Sequence, residues 1–333
     1  MFRRFYVPLV VALLFIAGCS SISENYYRVE GFAQGTTYSI TYEDVQQRDL
    51  SSGIDSILSA IDSSMSVYAT NSVISKFNRN ESLYADPMLV DVVKQSVTIS
   101  RVTNGAFDIT VGPLVKAWGF GPNGKQTPDS SHIDELLSLV GMDKITIKGD
   151  SVIKLNPNVV IDVNAIAQGY TVDVIAEYFE SMGITNYLVE VGGEIRTLGV
   201  NAKGTDWVVG IDKPVDNAVP GAELQVKLSL SGKSLATSGN YRKFYEENGV
   251  KYSHTINPKT GFPARHTLLS ATVIAKTAAQ ADAYATALMV MGFENAVEFV
   301  HGTPDIEAYL VHSSPDGKYL EWMSPGIREM IKD

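Results

Sequence analysis

The chain has one cysteine, Cys19, in 333 residues, so no internal disulfide can brace it and stability has to come from a packed core. It also lacks any basic run after Cys19, and its formal net charge is −10. Nucleic-acid binding needs clustered Lys and Arg to meet phosphates, so that class of function is excluded. Low-complexity tracts and internal repeats are missing as well. What remains is a globular chain whose hydrophobic share, 45%, is ample for one large core or two lobes.

The first residues set the compartment. Arg3 and Arg4 precede an apolar run from Val7 to Ala17, which closes on Ile16-Ala-Gly-Cys-Ser20. That run is too short for the roughly 30 Å of a bilayer core and has the form of a secretory signal. Small residues before Cys19 resemble a bacterial lipobox, in which cleavage leaves the cysteine to carry lipid. The plain alternative is an ordinary cysteine of a signal peptide. The expected division is a signal peptide over 1–18, a polar tether over 19–28 and a two-lobed domain over 29–333, at the cell envelope.

Periodicity predicts a strand over Thr37–Tyr42 and an amphipathic helix over Ser52–Met65, with Ile54, Ile57, Leu58, Ile61 and Met65 on one stripe. A second helix begins at Asp86-Pro87 and ends near Asn104-Gly105. The stretch Trp118–Lys125 is rich in Gly and Pro and reads as a loop, with a short helix following over His132–Val140. Strands are expected at Lys144–Ile147, Val152–Leu155, Val159–Val163, Tyr187–Val191, Trp207–Ile211, Leu224–Leu230, Leu268–Ala275 and Ile306–His312. Helices are expected over Ala167–Met182 and Ala278–Met291, each ended by glycine. Strands neither alternate strictly with helices nor form an all-β array, so the class is α+β.

Three local features bear on chemistry. Asp282 and Thr286 stand at i and i+4 on the alanine-rich helix. A carboxylate and a hydroxyl one turn apart can offer two hard oxygens to Mg²⁺, although a solvated Asp beside an inert Thr has the same sequence. His254 lies between tight turns in Tyr252-Ser-His-Thr-Ile-Asn-Pro-Lys-Thr-Gly-Phe-Pro263, as a general base, a phosphate contact or a packing residue. Glycine turns at Val189–Glu194, Leu235–Asn240 and Asp162–Gly169 permit close backbone approach to a ligand, or are turns and nothing more.

Six segments together resemble one family. They are Gly105-Ala-Phe-Asp-Ile-Thr-Val-Gly-Pro-Leu114 with Trp118-Gly-Phe-Gly121, the stretch Asp162–Asp173, Val191-Gly-Gly-Glu194, Thr237-Ser-Gly-Asn-Tyr241, Ser253–Gly261 and Ala281-Asp-Ala-Tyr-Ala-Thr286. In this order they are similar to the ApbE lipoproteins, the FAD:protein FMN transferases, over nearly the whole chain after Cys19. The resemblance implies an ApbE-like fold with an FAD cleft between two lobes. It also implies a Mg²⁺ held by the side chains of Asp282 and Thr286 and the carbonyls of Ala165 and Ala285. Tyr68 matches the aromatic stacked on the isoalloxazine ring. Gln34, Ala106, Phe107, Asp108, Asp162, Gln168 and Ile256 match FAD contacts, and His254 matches a histidine near the phosphates. The family commonly has Asp where this chain has Asn257, and a glycine pair or serine-containing version where it has Asn164-Ala165.

By the same resemblance, a Ser or Thr hydroxyl of an acceptor protein attacks the FMN-side phosphorus of FAD and AMP leaves. The implied acceptors are periplasm-facing subunits of redox-driven sodium or proton pumps, met from a lipid anchor on Cys19. Two other readings share these residues. In a Mg²⁺-dependent FAD pyrophosphatase water replaces the acceptor, and a lipid-anchored FAD-binding protein would carry the flavin without cleaving it.

Overall fold

Eight strands follow one another across the main sheet in the order they occur in the chain, and every pairing is antiparallel. They are β1 (Tyr26–Ala33), β2 (Thr36–Glu43), β3 (Tyr187–Val191), β4 (Glu194–Leu198), β5 (Ser234–Gly239), β6 (Leu268–Ala275), β7 (Glu307–Ser313) and β8 (Tyr319–Met323). This computed structural model describes residues 25–120, 128–214, 224–240, 244–247 and 250–332. The expected signal segment, Cys19 and most of the Gly/Pro-rich loop after Trp118 lie outside them. Among the described residues no helix is long and apolar enough to cross a membrane.

Two helices cover one end of the sheet: α1 (Ser51–Met65) and, further along the chain, α3 (Ala167–Ser181). Alternation in β2 sends Tyr38, Ile40 and Tyr42 inward to meet Ile54 and Leu58 of α1 and Val172, Ile175 and Phe179 of α3. Helix α2 (Pro87–Val102) starts where the Asp86 side chain accepts the Leu89 N–H at 2.9 Å, with Pro87 in the first turn. Near the centre, β6 is buried on both faces. Ala271, Val273 and Ala275 join the cluster around α4 (Ala278–Met291), while Ile274 faces a small three-stranded sheet formed by Trp207–Asp212, Leu224–Leu230 and Ile331–Lys332. The α+β expectation holds.

Helix α4 is buried all round, which its alanines allow, and ends at Gly292, whose φ of +79° suits glycine. Helix α5 (Phe293–His301) follows at once.

Two expectations are corrected. Val159–Val163 pairs in no sheet, although Val159, Ile161 and Val163 point inward as a strand's would. The Asn78 side chain takes the place of a partner strand, donating to Ile161 O at 2.8 Å and accepting from Ile161 N at 2.9 Å. The stretch expected as tether already enters the sheet at Tyr26, where β1 pairs with β2 along its whole length.

Behind α4, His266 accepts the Leu268 N–H on Nδ1 at 3.2 Å and presents Nε2 to Met289 O at 2.6 Å, an arrangement that fits the neutral ring protonated at Nε2. Burial pushes the His266 pKa below the usual histidine value. The unfolded chain therefore binds this proton more readily than the folded one. Stability is full above about pH 6.5 and falls as pH drops from there toward the folded value. Thermal melts at several pH values should show this slope, flattened in His266→Gln.

Candidate active site

The floor of the site lies where α3 and α4 start beside each other. Gly169, in the first turn of α3, has no side chain, and the backbone of Ala278 and Ala279 fills that space. The Gly169 N–H donates to Asp282 Oδ2 at 3.2 Å. Asp282 is 7% exposed, and burial pushes its carboxyl up to about 7 against the opposing pull of that N–H. One turn on, the Thr286 hydroxyl lies 3.2 Å from the Ser238 hydroxyl at the end of β5. A carboxylate and two hydroxyls thus share one corner.

The loop from Asp162 to Ile166 leads into α3. Asp162 donates its backbone N–H to Ile109 O at 2.7 Å, and its carboxylate accepts the Asn164 N–H at 2.9 Å. Burial raises the Asp162 pKa. Asn164 also hydrogen-bonds the Tyr68 hydroxyl, whose pKa is raised by burial first and by the Asp162 charge second. The Tyr68 ring itself is 63% exposed. Its loop is pinned underneath, with the Ser72 hydroxyl on Ser66 O at 2.7 Å and Arg79 on Thr70 O at 2.8 Å. An exposed aromatic on a braced loop offers a flat face to a planar ligand.

Gln34 approaches from the other side. With Gly35 it forms the two-residue turn between β1 and β2, at φ +53° and +75°. Its Nε2 donates to Thr171 Oγ1 on α3 at 2.7 Å, while Oε1 is buried with no partner in the protein, an acceptor that a ligand N–H would satisfy. Gln168 lies beside Gly192, in the turn after β3.

A cleft of about 500 Å³ opens along the C-terminal end of α2, lined by Ala106, Asn257, Lys259, Met291 and Glu298 among others. Phe107 and Ile256 are buried in the core, so only their backbone is available to a ligand. Asp108 is engaged in capping, accepting Thr110 N at 2.7 Å and Thr110 Oγ1 at 2.5 Å, and burial raises its pKa. His254 meets the Phe120 ring edge-on with centroids 6.4 Å apart. The next residue, Thr255, donates to Asn240 at 3.1 Å, which ties this loop to the strand end carrying Ser238.

Among the described residues no three His, Cys, Asp or Glu side chains converge on one metal-sized site. The donors on hand are one buried carboxylate, held by a backbone N–H rather than a basic side chain, with hydroxyls beside it. Mg²⁺ accepts such a sparse oxygen set when substrate phosphates and water complete its octahedron, so these residues fit that ion. Ala165 packs at the edge of the core cluster that holds Ala281 and Ala285. Ala285 lies inside α4, where a carbonyl is committed to the helical ladder, and is the weakest of the four expected ligands.

The chain is similar to known proteins in sequence and in fold. The ApbE family model matches residues 34–310. An FAD:protein FMN transferase of Vibrio cholerae is 36% identical, covering 98% of this chain and 99% of its own. The chain belongs to the ApbE family. An FAD:protein FMN transferase of Escherichia coli is also 36% identical, over 98% of this chain and 97% of its own. The crystal fold of a flavin transferase ApbE from Vibrio cholerae superposes with a TM-score of 0.82 at 35% identity, over 92% of this chain and 99% of that one. The apo flavinyl transferase ApbE of Pseudomonas stutzeri gives 0.82 at 30% identity, over 92% and 96%. The fold is thus ApbE-like.

Within this ApbE fold, three residues at the site escaped the sequence reading: Ser238, Thr171 and Asp173. Ser238 stood inside a quoted motif without a role. Thr171 and Asp173 sit on a helix whose visible signal was its apolar pattern, which says nothing of polar partners more than 100 residues away.

Proposed function

We propose that this ApbE protein transfers the FMN half of FAD to a Ser or Thr hydroxyl of a partner protein, with release of AMP. The observation that carries the reading is the corner where buried Asp282 stands one helical turn from Thr286, whose hydroxyl meets that of Ser238. Mg²⁺, bound by Asp282 and Thr286, would supply charge neutralisation for the pyrophosphate.

The protein's own residues bind and orient. Tyr68 stacks on the isoalloxazine, and Gln34 Oε1 accepts an N–H of the flavin. The acceptor oxygen bonds to the FMN-side phosphorus as the bond to the AMP oxygen breaks, and its proton passes to a base, a role we assign to His254. In-line positioning and charge stabilisation supply most of the acceleration. Cys19 is proposed as a lipid anchor that holds the enzyme at the envelope, facing periplasmic subunits of redox-driven sodium or proton pumps as acceptors.

The test uses the soluble chain begun at Ser20, with FAD, Mg²⁺ and an acceptor domain, read by acceptor mass and nucleotide products. An FMN-sized mass gain with AMP, lost with chelator, supports transfer. Free FMN and AMP with no labelling would establish a pyrophosphatase, and unchanged FAD would leave only binding.

Tyr68 gives an independent check. Tyr68→Ala should raise KM for FAD about 10-fold or more with little change in kcat, because stacking of an aromatic on a base is worth about 1–3 kcal/mol. Tyr68→Phe keeps the ring and should stay near wild type.

A further inference from the structure

The two helices at the site exchange carboxylates. Asp173, on α3, accepts the N–H groups of Ala278 and Ala279 at 2.9 Å each, the first two of α4. Asp282, on α4, accepts the Gly169 N–H in the first turn of α3. Each helix thus supplies the anion that the other's N-terminal amides need. Asp173 is 6% exposed, and its third donor is Arg196 Nη1 at 3.0 Å, from β4. The other arm of Arg196 reaches Glu180 at 2.8 Å.

Resting on the reading that Asp282 and Thr286 hold Mg²⁺, we propose that Asp173 is a positioning residue, which fixes the height and rotation of α4 against α3 and so sets where those two ligands meet the cation. Asp282 lies one turn beyond Ala278 and Thr286 one turn further, on the same 14-residue helix, so a shift at its start is passed on to both. At the crossing itself Gly169 has no side chain, and the backbone of Ala278 and Ala279 occupies that space. The register is carried by directed hydrogen bonds, and metal ligands must hold position within about 0.5 Å. Both arms of the Arg196 guanidinium go to α3, to Asp173 and Glu180, so it supports the charge from the α3 side, while the two α4 amides are held by Asp173.

Asn at position 173 has nearly the same volume but one acceptor oxygen, so it can serve only one of the two amides and turns an NH₂ toward the other. The test titrates MgCl₂ into the FAD-loaded soluble chain begun at Ser20 by calorimetry, with no acceptor present, alongside FAD binding in chelator and the thermal midpoint. Asp173→Asn is expected to raise the Mg²⁺ Kd about 10- to 100-fold, the range seen when groups behind metal ligands are removed, with metal-free FAD binding unchanged. Arg196→Gln is expected to lower Tm and leave the Mg²⁺ Kd unchanged. Should Asp173→Asn prove insoluble, Asp173→Glu keeps the charge but displaces it by a methylene, and the same Mg²⁺ weakening is expected. A wild-type Mg²⁺ Kd in the folded variant overturns the proposal, as does an equal weakening in Arg196→Gln, which would mean that general loosening suffices. Wild-type protein that binds no Mg²⁺ overturns the metal reading itself, and the proposal with it.

Discussion

Asp282→Asn is expected to lower kcat/KM for FMN transfer by at least about 100-fold while leaving Tm unchanged or higher. The loss is of the order found when one preorganised electrostatic group is removed from an active site. The stability side follows from the surroundings. The carboxyl is buried and pushed up to about 7 by that burial, and its hydrogen bond comes from a backbone N–H that an amide oxygen can equally accept. Asn therefore keeps the bond and removes the cost of burying a charge. Activity and stability should part company, as they do where a site is held strained for function. Initial rates with a thermal melt on the same preparations decide it, and a variant that retains wild-type activity would sink the role of Asp282.

Gly169→Ala should produce the largest structural effect of any single methyl group near the site. In a free helix this change stabilises, by up to about 1 kcal/mol. Here the added Cβ would stand 2.6 Å from the Ala278 carbonyl carbon and 2.8 Å from the Ala279 Cα, both backbone atoms that no rotamer change can move. Helices α3 and α4 must separate, and overpacking of this kind costs about 1–3 kcal/mol. For a chain of this size that is a fall in Tm of about 1.5 °C per kcal/mol. The separation also lengthens the Gly169–Asp282 bond, so transfer activity should fall with Tm. A stabilised, fully active Gly169→Ala would show that the crossing is looser than the structure has it.

Some of this architecture is legible in sequence and some is not, for physical reasons. Helix α4 is readable because no Gly or Pro interrupts its alanine-rich run before Gly292, and the boundaries Ala278 and Met291 agree with the structure. Leu268–Ala275 and Leu224–Leu230 likewise carry enough branched apolar residues to declare themselves strands. Ser234–Gly239 does not, because Ser-Leu-Ala-Thr-Ser-Gly has the composition of a turn, and only its neighbours β4 and β6 make it a strand. Val159–Val163 misleads in the opposite sense, since burial imposes the strand pattern without the ladder. At the site, Asp282 and Thr286 are visible as a helical pair. Their contacts to Gly169 and Ser238 cross 113 and 48 residues and leave no local trace. Tyr68 is found by its resemblance to a family position, and at 63% exposed it is no part of the core.

The order of the main sheet has an architectural consequence. Strands β2 and β3 are neighbours, with Tyr42 opposite Tyr187, although the whole stretch from Asp44 to Asn186 lies between them in the chain. That stretch leaves the sheet and returns to the same place, as the Glu43 N–H on Asn186 O at 2.9 Å marks. It carries Tyr68, Ala106, Asp108, Asp162 and Gln168, whereas Asp282, Thr286 and Ser238 belong to the later strands and the helix between them. The part of the site that carries Tyr68 and Asp162 is thus a cassette spliced into a β-meander at a single seam. Closing a loop costs only slowly more as it lengthens, so such a cassette can gain or lose segments without disturbing the register of the strands around Asp282 and Ser238.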